Sequence, residues 1–200
     1  MKGDNDVMRY CVFAGSNPGR QAIYTDAAAE LGEALARAEI GLVYGGASVG
    51  LMGVVADAAR SHGGDVIGVI PRALVQKEVA HTDLADLRIV ESMHERKALM
   101  ADLSDGFIAL PGGIGTLEEI FEVWTWGQLG DHNKPCALLD VDGFYEGLCS
   151  FLDYVVGEEF LKHSHRDMLI RGGAIASLLS AMRAYESPAT SKLINKPPKN

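Results

Sequence analysis

This 200-residue chain lacks long apolar runs, an excess of basic residues and an apolar N-terminal segment, and each absence excludes a class of protein. No apolar run approaches the ~18 residues of a membrane span, so we expect none. The 18 Lys and Arg residues against 27 Asp and Glu give a formal net charge of -9, which argues against nonspecific nucleic-acid binding because that needs basic surface. The N-terminal segment lacks the apolar stretch of a signal peptide, and we expect a cytoplasmic protein.

Cysteine is also scarce. The three cysteines, Cys11, Cys136 and Cys149, are odd in number and far apart, and none lies at a metal-ligand spacing. Cys11 and Cys136 fall inside apolar, strand-like runs. We interpret them as free buried thiols in a reducing compartment, and we expect no metal site.

Short apolar segments alternate with longer segments of helical periodicity. The apolar segments predict six strands, at residues 7–14, 42–44, 66–70, 87–90, 107–110 and 137–140. The other segments predict helices at residues 23–39, 51–62, 93–102, 144–156 and 174–185, and a further one that starts near residue 115. This alternation predicts a single-domain α/β fold, a Rossmann-like doubly wound parallel sheet with helices on both faces. We expect residues 1–186 to form this domain and residues 187–200, with several prolines and lysines, to form a flexible C-terminal tail.

Residues 111–119, with the sequence PGGIGTLEE, carry the strongest functional signal. They join the fifth predicted strand to a helix, and the missing side chains of Gly112, Gly113 and Gly115 let backbone N–H groups approach an anion. With Thr116 they predict a phosphate cradle at the positive end of the helix dipole. A plain tight turn explains one glycine but hardly three. The spacing is that of neither a dinucleotide fingerprint nor a Walker loop.

Ligands of such sheets bind at the edge beyond the carboxyl ends of the strands, where the cradle lies. Two groups of charged residues could lie at the same edge. Arg96 and Lys97 lie in the helix after the fourth predicted strand, where they could bind phosphate or a sugar hydroxyl, or could simply be solvated surface charges. Glu118 and Glu119 lie in the first turn after the cradle. Acidic residues are common there because of the helix dipole. Beside a phosphate site, however, a carboxylate opposes the bound anion unless it faces another part of the ligand.

The segments PGGIGTLEE and MHERK together resemble the LOG family, whose members are cytokinin riboside 5′-monophosphate phosphoribohydrolases. The similarity extends through residues 12–16, 44–53 and 124–130, and so covers about the first three quarters of the chain. The resemblance implies hydrolysis of the N-glycosidic bond of nucleoside 5′-monophosphates, AMP included, without a metal or an organic cofactor. It also implies a homodimer, with Trp124 and Trp126 either near the interface or in the core.

The resemblance assigns roles to particular residues. Arg96 and Glu119 match the catalytic pair, and Glu118 would be the structural member of the acidic pair. The nucleotide-binding positions match Glu78, Arg96, Lys97, Gly113, Ile114, Gly115, Thr116, Leu117, Glu118, Glu119 and Thr125, and Gly112 joins them as part of the cradle.

Two other functions fit the same sequence class. A non-catalytic nucleotide or molybdopterin carrier of this fold would not need both Arg96 and Glu119. A lysine decarboxylase would need a lysine that carries pyridoxal phosphate, and Lys97 is the only lysine near the motifs. The sequence leaves open whether the preferred base is plain adenine or carries an isopentenyl group.

Overall fold

The computed structural model describes residues 7–75 and 80–188, which are built around a seven-stranded parallel sheet. The strands are β1 (Arg9–Phe13), β2 (Gly41–Tyr44), β3 (Val66–Pro71), β4 (Asp86–Val90), β5 (Gly106–Ala109), β6 (Cys136–Leu139) and β7 (Leu169–Gly172). The helices are α1 (Ala22–Arg37), α2 (Gly50–Ser61), α3 (Met93–Asp102), α4 (Ile114–Leu129), α5 (Glu146–Gly157), α6 (His163–Arg166) and α7 (Ile175–Arg183). Single 3₁₀ turns at Arg72–Leu74 and Val141–Gly143 follow β3 and β6.

The strand order places the ends of β1 and β5 side by side. The sheet runs β4-β3-β2-β1-β5-β6-β7, so the chain winds outward from β1 to β4 and then returns to pair β5 with the free side of β1. Val12 in β1 is accordingly in register with Tyr44 on one side and Ile108 on the other. Parallel sheets bind ligands at this kind of switch point, beyond the carboxyl ends of the strands. Here the Gly15 N–H donates to the Pro111 carbonyl at 3.3 Å and joins the two turns.

Each face of the sheet has its own apolar core, as expected for a sheet that is buried on both sides. Successive residues of β1 alternate between them. Tyr10 and Val12 pack with α1, α2 and α7, whereas Cys11 and Phe13 pack with α3, α4 and α5. The catalytic candidates of α3 and α4 therefore lie on helices that cover one face of the sheet.

The predicted doubly wound parallel sheet and all six predicted strands are confirmed, with ends that differ by one or two residues. The seventh strand was not predicted, because β7 is a short strand at the sheet edge and contains the exposed Arg171. Of the predicted tail, Ser187 and Pro188 are described and the remainder lies outside the described residues.

The three cysteines are free and buried, as the sequence predicts for Cys11 and Cys136. Burial raises the pKa of the Cys136 thiol to about 12 and places the pKa of Cys11 well above its usual range. These thiols are therefore neutral and unreactive. Within residues 7–75 and 80–188, no helix combines the length and apolar character needed to cross a membrane.

Candidate active site

A cavity of about 610 Å³ opens where the turns after β1 and β5 meet. The lining comes from the glycine-rich turn after β5, the turn after β1 and the start of α2, with side chains from α1, α3, α4 and the turn after β6. It includes Tyr24, Met93, Arg96, Thr116, Glu119 and Phe144.

The glycine cradle, residues 111–116, is open toward this cavity. A Cβ atom built on Gly113 or Gly115 would meet no atom within 4 Å, so both positions leave the backbone accessible. Gly112 instead packs so closely on Thr116 that a Cβ there would overlap the Thr116 hydroxyl. Helical hydrogen bonding begins with Leu117, whose N–H donates to the Gly113 carbonyl at 3.2 Å. The N–H groups that precede Leu117 in the first turn are thus available for an anion.

Arg96 lines the cavity from α3, and only part of its hydrogen-bonding capacity is used within the described residues: its Nη1 donates a weak 3.9 Å contact to Met93 Sδ. The residue is 6% exposed, and its Nη2 donates a long hydrogen bond of 3.3 Å to the Gly45 carbonyl. Its Nε is buried and has no hydrogen-bond partner among the described residues. A buried guanidinium left this way is costly in isolation and is suited to a polar ligand.

Glu119 lies opposite Arg96. Its Oε1 is 4.0 Å from Arg96 Nη1, and its side chain is 13% exposed. This separation is long for an ion pair, and it brings a carboxylate and a cation together on the cavity wall beside the cradle. The structure therefore brings together the two residues that the resemblance assigns to catalysis.

Lys97 and Glu118 pair with each other outside the catalytic pair. Lys97 Nζ lies 2.7 Å from Glu118 Oε1 and 2.8 Å from Glu122 Oε2. Burial by itself would lower the pKa of Lys97, but the two neighbouring glutamate carboxylates outweigh it and raise the pKa above its usual value. Glu118 reaches the cavity rim, whereas Lys97 is not among the lining residues.

Of the other predicted site residues, some line the cavity, some lie away from it, and one lies outside the described residues. Ile114 is exposed on the cavity wall, while Leu117 is half-buried and packs against the core between α4 and the sheet. Thr125 is exposed, two turns beyond Glu118, and its hydroxyl donates to the Phe121 carbonyl at 2.7 Å, so it does not line the cavity of its own chain. Glu78 lies outside the described residues.

Of the two tryptophans, Trp124 is a core residue. It is 3% exposed, and its indole N–H donates to the His165 carbonyl at 3.0 Å. Trp126 is half-buried and packs against the same core.

Two aromatic wall residues were not predicted from the sequence. Tyr24 in α1 and Phe144 after β6 line the cavity with ring centroids 5.7 Å apart in an edge-to-face arrangement. They are 120 positions apart in sequence, so no local pattern could have paired them. The available signal for Phe144 was its position as an apolar residue shortly after the predicted strand at residues 137–140.

A buried tyrosine is hydrogen-bonded to the residue that precedes the cradle. The Tyr145 hydroxyl donates to the Leu110 carbonyl, directly before the cradle, at 2.7 Å. Asp140 in turn accepts from the Tyr145 backbone N–H at 2.7 Å and pairs with Arg171 of β7. Burial raises the pKa of the Tyr145 phenol, which stays neutral and remains a donor. The cradle is therefore tied to the two outermost strands on its side of the sheet.

The donor set suits an anionic ligand with a reacting carbon near Glu119. Backbone N–H groups and a guanidinium bind anions, and a carboxylate stabilises positive charge. Within the described part of the chain, no group of three His, Cys, Asp or Glu residues could hold a metal ion.

Comparison with known proteins finds similar sequences over most of the chain. The family model described as "Possible lysine decarboxylase" matches residues 52–182. A probable cytokinin riboside 5′-monophosphate phosphoribohydrolase of Oryza sativa subsp. japonica is 51% identical over 177 residues, which are 88% of this chain and 78% of that protein. The chain belongs to the LOG family. A second LOG relative, the cytokinin riboside 5′-monophosphate phosphoribohydrolase LOG4 of Arabidopsis thaliana, is 47% identical over 200 residues, covering 95% of this chain and 93% of that protein.

Solved structures share the fold of this LOG-family chain. The molybdenum cofactor carrier protein of Chlamydomonas reinhardtii superposes with a TM-score of 0.68 over 89% of this chain and 97% of its own, at 20% identity. A molybdenum cofactor binding protein of Rippkaea orientalis gives the same TM-score over 90% of this chain and 98% of its own, also at 20% identity. At this identity the likeness concerns the fold alone.

Proposed function

We propose that this protein hydrolyses the N-glycosidic bond of cytokinin riboside 5′-monophosphates and of AMP, releasing the free base and ribose 5-phosphate. The observation that carries the proposal is the placement of Arg96 and Glu119, 4.0 Å apart, on one cavity wall beside the glycine cradle. The names of the curated relatives support the same reaction.

In the proposed mechanism the cradle binds the 5′-phosphate. The N–H groups of Gly113, Ile114 and Gly115 and the helix dipole face this anion, with Gly112 and Thr116 shaping the turn. The binding energy of the phosphate then positions the distant glycosidic bond. Arg96 binds phosphate or ribose oxygen with the donors that the protein leaves unused.

Glu119 acts at the sugar carbon C1′. As the C1′–N bond breaks, its electron pair leaves with the base and positive charge develops on the sugar, which a carboxylate stabilises. Glu119 also orients the attacking water, whose oxygen bonds to C1′. One water proton stays on the new hydroxyl and the other is transferred by way of Glu119, so that the base leaves as a neutral molecule.

The lysine decarboxylase alternative requires a lysine that reacts as a neutral amine. Lys97 has two carboxylates within 2.8 Å and a raised pKa, so it is held in the charged form. This environment disfavours Schiff-base chemistry at Lys97.

We also propose that the functional unit is a homodimer in a reducing, cytoplasmic compartment. Thr125 matches a nucleotide-binding position but is exposed and does not line the cavity of its own chain, as expected if it served the cavity of a second copy. Leu129, one turn further along α4, is 50% exposed and would extend the same contact. The three buried free thiols support the reducing compartment.

The experiment that tests the reaction compares AMP with isopentenyladenosine 5′-monophosphate as substrates. We expect both to yield free base together with an equal amount of ribose 5-phosphate, and the ratio of their kcat/KM values gives the preferred base. Arg96→Ala should weaken both nucleotide binding and turnover, whereas an unchanged enzyme would remove Arg96 from the site. If the wild type binds both nucleotides and returns both intact, the carrier function is the correct one.

A further inference from the structure

A second set of contacts lies directly beside the catalytic candidates. Lys97 of α3 reaches across to α4, where its Nζ contacts Glu118 Oε1 at 2.7 Å and Glu122 Oε2 at 2.8 Å. We name these three residues the Lys97 clamp. Its lysine follows Arg96 in sequence and its first glutamate precedes Glu119.

The two neighbouring pairs have different surroundings. Successive helical residues point about 100° apart, so Arg96 and Lys97 face different directions, as do Glu118 and Glu119. Arg96 and Glu119 line the cavity at a separation of 4.0 Å, which is too long for either to fix the other. Lys97 makes two short contacts between α3 and α4 at this level, at 2.7 and 2.8 Å.

The clamp is partly removed from solvent, which strengthens it relative to a surface ion pair. The Lys97 side chain is 12% exposed and that of Glu122 is 26% exposed. The Glu122 Oε2 atom is buried, and its 2.8 Å contact with Lys97 is an ion pair rather than a well-aligned hydrogen bond. Loss of Lys97 would leave this carboxylate oxygen without its cation. The charge of Lys97 is thus engaged within the protein rather than directed into the cavity.

The clamp also affects the field at the phosphate. Glu118 reaches the cavity rim with a side chain that is 52% exposed, close to the cradle. An unpaired carboxylate there would repel the 5′-phosphate, and Lys97 offsets that charge.

We propose that Lys97 is a positioning residue, which together with Glu118 and Glu122 sets the spacing of α3 and α4 and thereby places Arg96 and Glu119 at the glycosidic bond. This inference rests on the proposed function for its effect on turnover. The competing assignment is that Lys97 binds the nucleotide directly, as the family resemblance implies.

A double-mutant cycle between Lys97 and Glu122 separates these two roles, because Glu122 does not line the cavity. The variants are Lys97→Met, Glu122→Gln and the double variant, with Lys97→Arg as the conservative replacement. Asp153→Asn is the matched control, since it breaks an ion pair of 2.8 Å with Arg166 that lies outside the cavity wall. The kcat and KM for base release and the Kd of AMP by calorimetry are measured for each.

The clamp predicts that Lys97→Met and Glu122→Gln each lower kcat, by roughly tenfold to a hundredfold, because misplaced catalytic groups lose that much. The double variant should be no worse than Lys97→Met, because the two residues act as one unit. Lys97→Arg should keep most of the wild-type kcat, and Asp153→Asn all of it. If Lys97→Met does not fold, the kcat and KM values of Glu122→Gln and Lys97→Arg still distinguish the positioning role from direct nucleotide binding.

Wild-type kcat in Glu122→Gln, with a raised KM confined to Lys97→Met, would overturn the proposal and assign Lys97 to the nucleotide. Failure of the proposed function is distinguishable, because the wild type would then bind AMP and isopentenyladenosine 5′-monophosphate without releasing base from either. In that case the Kd values decide: the clamp weakens AMP binding in both single variants, and direct contact weakens it in Lys97→Met alone.

Discussion

Arg96 depends on the absence of a side chain at residue 45. A Cβ atom on Gly45 would overlap Arg96 Nη2, so the guanidinium could not stay where it contacts the Gly45 carbonyl and faces Glu119. Gly45 directly follows β2, at the carboxyl edge of the sheet. The contact itself joins residues 51 positions apart, and no local pattern reports it.

At this scale we predict that Gly45→Ala lowers kcat/KM for base release by at least about tenfold, because Arg96 is displaced from the site. The matched control is Gly147→Ala, at an exposed helical position where an added Cβ meets no atom within 4 Å. That change should leave activity intact and stabilise the protein by roughly 0.5–1 kcal/mol. Steady-state kinetics and thermal unfolding check both, and wild-type kinetics in Gly45→Ala would contradict the role given to this contact.

At the scale of elements, the cradle depends on the turn after β6. Tyr145, which is 1% exposed, holds the Leu110 carbonyl, and Asp140 and Arg171 hold Tyr145 in place. The anion-binding loop is thus supported by a segment that begins 30 residues later in the chain.

We predict that Tyr145→Phe raises the KM for AMP several-fold while kcat changes little, since the loss affects phosphate binding rather than the carboxylate. Removing the hydroxyl should also cost about 1 kcal/mol of unfolding free energy, which is a fall in Tm of roughly 2–4 °C. Tyr10→Phe is the control, because Tyr10 is equally buried in β1 and is not among the residues that line the cavity. An unchanged KM in Tyr145→Phe, or an equal increase in Tyr10→Phe, would show that the Tyr145 hydroxyl does not hold the cradle in place.

The elements also show where sequence reasoning is sufficient. Continuous apolar runs such as residues 107–110 report a strand buried on both faces, and the alternation with helices predicts a parallel sheet. The glycine cradle was predictable because its signal is local. β7 was not, because an edge strand with an exposed Arg171 has no apolar pattern. The Lys97 clamp and the Tyr24–Phe144 wall depend on which helices and turns become neighbours, and spacing alone does not determine that.

At the scale of the whole molecule, an acidic protein binds an anionic substrate. The formal net charge is -9, so the affinity for a phosphate has to come from local donors at the switch point rather than from the overall field. In the proposed mechanism Arg96, the cradle N–H groups and the dipole of α4 supply these donors, and Lys97 pairs with Glu118 at the cavity rim.

The homodimer proposal gives a prediction at this scale. Light scattering should report twice the chain mass, and Thr125→Arg should reduce both the dimer fraction and base release, because the bulky cation disrupts the contact at α4. Ser61→Arg, at an exposed position at the end of α2, should do neither. A fully active monomeric wild type would contradict the dimer as the functional unit.

The proposed role of Glu119 as the catalytic carboxylate is tested by adenine release from AMP in the wild type and in Glu119→Gln, with the Kd of AMP measured in parallel. We expect the wild type to release adenine and ribose 5-phosphate in equal amounts. In Glu119→Gln, release should fall by at least roughly a hundredfold, the order expected when a group that stabilises transition-state charge is lost, while the Kd stays near the wild-type value. Sustained adenine release by Glu119→Gln would contradict the assignment of Glu119 as the catalytic carboxylate.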